Sequence, residues 1–210
     1  MCIIFIYNAF DDQESDYSLI IATNRDEYYD RPSINMSSWK EYPHVYGGRD
    51  MEAECQGTWN NEPLIQTYNN ATNKLEKYNE ACVGFSNSLP NNPLKKVEEG
   101  KKKMKDICED HKKLENKAML IEKLIDLLKW EERHLPDQVL QNRKPNDYHW
   151  FSSVFVTIPP VRYGTRTHTL LLVTKSGQVD LIEIYLQSPI DLSKPEWKRS
   201  DFQFNIKPNV

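Results

Sequence analysis

The order of apolar segments along the chain predicts an α+β fold, because two strands come first, helices follow and further strands come last. Short apolar runs at residues 2–7 and 18–23 flank a polar, turn-forming stretch, and together they predict a β-hairpin. Helical periodicity is confined to the middle of the chain. We therefore expect a single domain over residues 1–210, in which helices pack against antiparallel sheet.

Two helices are predicted in the middle of the chain. Residues 95–113 are strongly charged with a thin apolar stripe, and Gly100 weakens the prediction for the first turns. Residues 117–132 carry leucines and isoleucines at helical spacing, and Pro136 ends the pattern. The lysines between 101 and 105 are interleaved with acidic residues, which favours a solvated helix face over a phosphate or membrane site.

The other predicted elements are strands. They are short apolar or alternating runs bounded by turn-forming residues, and they lie at residues 81–87, 153–158, 168–174, 178–185 and 200–206. Ser176-Gly177 supplies a short hairpin connection. Residues 28–43 and 137–149 have no clear period and are interpreted as loops.

The composition excludes several classes of protein. A net charge of -4 and a pI near 5.8 give no case for nucleic-acid binding. No apolar run approaches the ~20 residues of a membrane helix, and the amino terminus lacks a secretory signal, so we expect a cytoplasmic protein without a transmembrane segment. The four cysteines form no CxxC pair and have no histidine at ligand spacing, so no metal site or disulfide framework is expected.

The first strand begins at Cys2, which is the leading candidate for chemistry. Removal of Met1 would leave Cys2 with a thiol and a free α-amino group on one carbon. Such a terminus can supply both a nucleophile and a base without a histidine. The alternative interpretation is that Cys2 is a small core residue at the head of an apolar strand.

The second strand ends in Asn24-Arg25-Asp26-Glu27, which the hairpin would bring to the same sheet edge as Cys2. In a reactive site, Asn24 would donate to an oxyanion or orient the amine. Arg25 with Asp26 would fix charge and bind a substrate carboxylate. The alternative for Arg25 and Asp26 is a structural ion pair that caps the hairpin.

A third candidate segment is Tyr163-Gly164-Thr165-Arg166-Thr167. Arg166 either faces the Cys2 end of the sheet as an anion-binding group or holds the start of a strand by hydrogen bonds. Tyr163 and Gly164 accompany it in the predicted ligand site, and Gly164 suggests a tight turn.

The order of these motifs resembles the NRDE family, which comprises the transport and Golgi organization protein 2 homologs. The resemblance rests on motifs spread along the whole chain, at residues 1–5, 24–27, 31–32, 57–59, 84–87, 132–137 and 163–167. It implies an N-terminal-nucleophile-hydrolase-like αββα sandwich of antiparallel sheets, with Cys2 at the nucleophile position. It also implies links to Golgi organisation, protein secretion, mitochondrial and lipid homeostasis, and haem trafficking.

One departure from the family concerns the middle of the chain. In the family, several dozen residues follow the Gly57-Thr58-Trp59 motif and form further strands of the central sheets, whereas here Trp59 is followed directly by Asn60-Asn61-Glu62-Pro63. The chain is therefore interpreted as a shortened form in which part of the central sheets is missing. Such a loss would expose sheet edges and remove an oxyanion-hole Asn of the family.

Two functions follow from the resemblance. The first, which we favour, is a trafficking factor that binds haem or an acyl-coenzyme A, needs no cofactor of its own, and associates peripherally with Golgi or mitochondrial membranes. The second is an N-terminal cysteine amidohydrolase or thioesterase using Cys2. By residue type, the candidate axial ligands of a haem are Cys2, His44, His111, His134, His149 and His168. None of them lies in a CxxCH attachment motif, and single histidines are more often surface or core residues.

Overall fold

The computed structural model describes residues 1–40, 46–50, 65–69, 74–88 and 92–206. Within them lie the strands β1 (Ile3–Asn8), β2 (Tyr17–Tyr28), β3 (Ser33–Ser38), β4 (Tyr46–Asp50), β5 (Ile65–Asn69), β6 (Lys74–Tyr78), β7 (Cys82–Ser86), β8 (Thr157–Ile158), β9 (Tyr163–Thr174), β10 (Gln178–Leu186) and β11 (Trp197–Asn205). The α-helices are α1 (Lys95–Asp110), α2 (Lys117–Leu128) and α3 (Gln138–Arg143). Short 3-10 turns lie at Leu114–Asn116, Tyr148–Phe151 and Pro159–Val161.

One antiparallel sheet dominates the described chain. Its strands run in the order β11-β10-β9-β2-β1-β7, and β8 pairs with the start of β9. The hairpins β3-β4 and β5-β6 form separate ladders. The α+β prediction and the opening hairpin are therefore confirmed, with Ile3 opposite Asn24 at the end where both candidate motifs lie.

Helices α1 and α2 cover one face of this sheet. Burial alternates along β1, so Ile3, Phe5 and Tyr7 enter the layer beneath the helices while the residues between them lie on the other face. Gly100 lies directly under the Phe5 ring, where a Cβ would approach Phe5 Cζ to 2.3 Å. The glycine that weakened the helix prediction therefore allows α1 to approach β1 closely.

Several predictions about local structure are wrong. The strand predicted at 153–158 is reduced to Thr157–Ile158, because the Phe155 N–H donates to the Trp130 carbonyl instead of to a neighbouring strand. Helix α2 ends at Leu128, before the predicted residue 132. The loop predicted at 137–149 contains α3, whose N-cap residue Asp137 accepts from the Leu140 N–H at 2.9 Å.

Three further predictions concern the loop at 28–43, the motif at 57–59 and the absence of a transmembrane helix. The prediction of a loop over residues 28–43 is also wrong, because the described chain forms β3 there. The Gly57-Thr58-Trp59 motif lies outside the described residues. Across the described ranges, no helix is both long and apolar enough to cross a membrane.

Candidate functional site

The Cys2 thiol lies at the start of β1, on the face of the sheet away from α1 and α2. The residue is exposed, and its Sγ lies 3.7 Å from the Asp26 carbonyl oxygen. A cleft of about 330 Å³ adjoins it, lined by Cys2, Ile3, Ile4, Thr23, Phe85, Ser86 and Asn87. Hydroxyls of this lining also hold the strands together, since Ser86 Oγ donates to the Cys2 carbonyl at 2.7 Å. We call this space the Cys2 cleft.

The α-amino group of the chain lies close to the opposite, helix-covered face. It donates to the Tyr163 hydroxyl and lies 3.8 Å from Asp26 Oδ2. Burial lowers the pKa of this amine, and the Asp26 carboxylate partly opposes that shift. The Met1 side chain packs against the hydrophobic core. These contacts hold the chain terminus against the helix-covered face of the sheet.

Asp26 is buried beside this amine. A β-bulge places Arg166 as an extra residue of β9, so that Thr165 faces Asp26 and donates to its Oδ1 at 2.7 Å. Asp26 Oδ2 is buried and has no hydrogen bond within the described structure. Burial raises the pKa of Asp26, opposed by the positive charges of Lys96 and the terminal amine.

Lys96 is the site residue that the sequence analysis missed. Its side chain is 0% exposed, and Nζ donates to the Ser153 carbonyl at 3.0 Å. Burial lowers the pKa of Lys96, partly offset by the Asp26 carboxylate. The sequence signal for its burial is its position next to Val97 on the apolar side of α1, and counting the charges of the helix does not show this. We call the Met1 amine, Asp26, Lys96, Tyr163 and Thr165 the buried charge cluster.

Asn24 does not face the Cys2 thiol. It is 0% exposed, and its Nδ2 donates to the Leu128 carbonyl at 2.8 Å and to the Val154 carbonyl at 3.1 Å. Its Oδ1 lies 2.6 Å from His168 Nδ1. Because both amide hydrogens are used, the predicted oxyanion role of Asn24 does not fit this arrangement, and its contacts are structural.

Arg25 lies on the other face of β2 from Asp26. The residue is half-buried between two buried neighbours on the strand, so its side chain projects away from α1 and α2. Its charge acts on Glu183 of β10, whose pKa is raised by burial and lowered in turn by the Met36 N–H and Arg25. The prediction that Arg25 and Asp26 act together, in catalysis or as a capping ion pair, does not match this geometry.

The Tyr163 to Arg166 segment is divided between two roles. Tyr163 belongs to the buried charge cluster and also donates to the Asp26 carbonyl at 3.3 Å. Arg166 donates to the carbonyls of Tyr28 and Arg31 at 2.8 and 2.7 Å, which is the strand-holding alternative of the sequence analysis.

Gly164 sits in β9 and not in a tight turn. A Cβ there would lie 2.3 Å from the Tyr29 hydroxyl and 2.4 Å from the Val156 carbonyl oxygen. Close approach of β8 therefore explains this glycine.

The candidate iron ligands are scattered. His44 lies outside the described residues. His168 is buried between Trp197 and Phe155, and burial lowers its pKa to about 3. His111 lies at the end of α1 and contacts the Ile107 carbonyl. Among the described residues, no three His, Cys, Asp or Glu side chains cluster as metal ligands.

Comparison with known proteins gives a consistent family. The sequence model of the family described as Transport and Golgi organisation 2 matches residues 1–61 and 60–188. Transport and Golgi organization protein 2 of Drosophila melanogaster is 27% identical over 259 aligned positions, covering 87% of this chain and 91% of the fly protein. The homologs of Mus musculus and Homo sapiens are 24% and 26% identical, and each alignment covers 99% of this chain and 100% of the relative. The chain therefore belongs to the Transport and Golgi organisation 2 family.

Proposed function

We propose that this chain acts in Golgi organisation, which the names of its relatives mention, and in protein secretion, by binding an acyl thioester in the Cys2 cleft. The observation that carries the proposal is an exposed thiol at the rim of a largely apolar cleft. Ile4 and Phe85 suit an acyl chain, while the hydroxyls of Thr23 and Ser86 suit the polar thioester end. A volume of about 330 Å³ is at the lower end of small-ligand sites.

An acyl-coenzyme A fits this cleft better than haem does. The described lining contains no histidine, so the Cys2 thiol would be the sole soft iron ligand that it offers. The candidate histidines with described positions lie elsewhere, and His168 is buried against Trp197. Haem trafficking therefore has less support from the site than acyl-group binding.

The second candidate function is hydrolysis of the bound thioester or an amide by Cys2. The observation that favours it is the position of the terminal amine within the buried charge cluster, 3.8 Å from Asp26 Oδ2. With Met1 removed, the α-amino group of Cys2 would take the proton of the Cys2 thiol, and the Cys2 sulfur would attack the acyl carbon. The bond to the leaving thiol or amine then breaks, and that group takes the proton from the ammonium. Water finally cleaves the Cys2 acyl thioester and releases the acid.

We further infer that the chain is a single, shortened N-terminal-nucleophile-hydrolase-like domain. The sheet face away from α1 and α2 carries half-buried apolar residues such as Ile6 and Ile21, which suits a second layer. The family match falls into two stretches that meet at residues 60–61. The mouse alignment runs over 281 positions, more than the 210 residues of this chain. A cytoplasmic protein that associates peripherally with Golgi or mitochondrial membranes fits the proposed acyl ligand.

The binding proposal is tested by titrating the purified full chain with decanoyl-coenzyme A by calorimetry, with coenzyme A alone as the reference ligand. Asn87→Trp should fill the exposed rim of the cleft and weaken binding about tenfold, or ~1.4 kcal/mol. The matched control Asn92→Trp places the same side chain at an exposed position outside the cleft lining and should leave binding unchanged. Equal affinity for coenzyme A alone, or no effect of Asn87→Trp, would overturn the proposal.

The same experiment separates binding from hydrolysis. Cys2→Ala should abolish release of coenzyme A while leaving decanoyl-coenzyme A binding in place. Absence of any release from the wild-type chain, with binding retained, would leave the binding function and remove the hydrolase.

A further inference from the structure

Strand β11 forms one edge of the main sheet. Among the described strands it pairs with β10 alone, over nine residues and without a register shift. From Ser200 onward its side chains alternate between half-buried and exposed positions. An edge strand presents a row of backbone N–H and C=O groups to which a further strand can bind. The edge of β11 is therefore a surface to which another chain can add a strand.

Hydrogen bonds at the two ends of β11 show which of its residues face outward. Beyond one end, the Ile206 N–H donates to the Gly177 carbonyl at 2.8 Å. Beyond the other end, the Gln187 N–H donates to the Glu196 carbonyl at 2.8 Å. Even-numbered residues of β11 therefore direct their backbone groups toward β10, because these groups alternate along an antiparallel strand. The odd-numbered residues of 197–205 direct theirs toward the outer edge.

Two of the outward-facing residues carry opposite charges. Arg199 and Asp201 are 46% and 50% exposed, and they form an ion pair along one face of the strand. Arg199 Nη2 lies 2.6 Å from Asp201 Oδ1, and Arg199 Nε lies 2.9 Å from Asp201 Oδ2. An exposed ion pair contributes little to the stability of a single chain. Both charges therefore remain accessible to a partner strand.

Charge complementarity selects one antiparallel register for a second copy of β11. A two-fold axis at Ser200 places Arg199 opposite Asp201 of the second copy and, by symmetry, Asp201 opposite Arg199. Both residues have outward-facing backbone groups, so this register also forms the ladder hydrogen bonds. An axis at Arg199 or at Asp201 would place like charges opposite each other, which destabilises a strand pair. Larger shifts separate the two opposite charges.

We propose that two copies of this chain pair through β11 and form a two-fold symmetric dimer in which the two main sheets become one. The two cross-strand pairs of Arg199 with Asp201 fix the register. The same charges disfavour unselective pairing, as charged residues on an edge strand generally do. Strand β11 lies at the opposite edge of the main sheet from β7, which lines the Cys2 cleft. The dimer is therefore independent of the proposed acyl ligand.

Sedimentation velocity of the purified full chain over a concentration series measures this association. The wild type should form a reversible dimer with twice the 24.7 kDa mass of the chain. Arg199→Asp and Asp201→Arg each place like charges opposite each other at both symmetric positions, so each should raise the dissociation constant about tenfold. The matched control Lys105→Glu reverses the charge of one partner in an exposed ion pair on α1 and should leave the dissociation constant unchanged.

Mixing the two variants separates this interface from a folding defect. The Arg199→Asp chain carries two acidic residues where the Asp201→Arg chain carries two basic residues, so an equimolar mixture should form a heterodimer. The double variant Arg199→Asp/Asp201→Arg exchanges the two charges and should restore the homodimer. A wild-type chain that stays monomeric, a dimer that both single variants retain, or a mixture that forms no heterodimer would overturn the proposal.

Discussion

Asn24 and Asp26 lie two residues apart on β2 and enter the same layer beneath the helices, yet their surroundings differ. The Asn24 amide is neutral, and its partners are two backbone carbonyls and His168. Asp26 is ionisable, burial raises its pKa against the opposing charges of Lys96 and the terminal amine, and one of its oxygens lacks a hydrogen bond in the described structure. The contrast separates a structural network from a cluster whose protonation can change. Perturbed, incompletely paired groups of the second kind are typical of functional sites.

The largest expected effect comes from removing the Asp26 charge. Asp26→Asn keeps the shape of the side chain but leaves Lys96 buried without its main carboxylate, and we expect a loss of about 3 kcal/mol in the free energy of unfolding. Urea unfolding measures it. Adding Lys96→Met should restore part of the loss, because the double variant buries no unpaired charge. Simple additivity of the two single losses would show that the groups are not coupled.

Removal of the neutral network should cost somewhat less. Asn24→Ala leaves the carbonyls of Leu128 and Val154 and one nitrogen of His168 without their partner, and we expect a loss of about 2 kcal/mol by the same urea measurement. The comparison also makes a functional forecast. Asn24→Ala should leave the rate at which acetic anhydride acetylates the terminal amine unchanged. Asp26→Asn should raise this rate, because Asp26 lies 3.8 Å from the amine and favours its protonated form. A change in both variants would show that the Asn24 network and the Asp26 cluster are coupled.

Near neutral pH the smallest effect is a pH dependence carried by His168, which grows as the pH falls. Its pKa is lowered by burial from 6.5 to about 3 in the folded chain, so the unfolded chain binds a proton that the folded chain does not. Stability should therefore fall as the pH drops from 6.5 toward 3, by up to ~1.4 kcal/mol per pH unit. Wild type and His168→Gln, unfolded in urea across this range, should differ in slope by about that amount. Equal slopes would contradict it.

Residues near the start of the chain show how far the sequence can lead. The apolar runs at 2–7 and 18–23 were enough to predict that β1 and β2 pair, because strand periodicity and turn residues are local properties. That pairing brings the end of β2 to Cys2 without further information. The buried stripe of α1 was likewise predictable from its spacing.

The surroundings of those residues were not predictable for a physical reason. Which face Asn24, Arg25 and Asp26 present depends on register, and a single bulge at Arg166 decides what meets Asp26. Lys96 is polar by type, and its burial follows from the packing of α1 against β1, not from its own preference. Local patterns therefore identify the elements, while long-range pairing assigns their side chains to the site.

The most direct test of a reactive chain terminus is the intact mass of the purified protein before and after brief treatment with a thiol-reactive acylating probe at neutral pH. The account predicts rapid, single labelling at Cys2, and loss of Met1 in addition would favour the hydrolase. The exposed Cys2 should react well before Cys82 and Cys108, whose thiol pKa values are raised by burial. Labelling of Cys2 no faster than that of the other cysteines would contradict it, and retained Met1 would contradict the hydrolase alone.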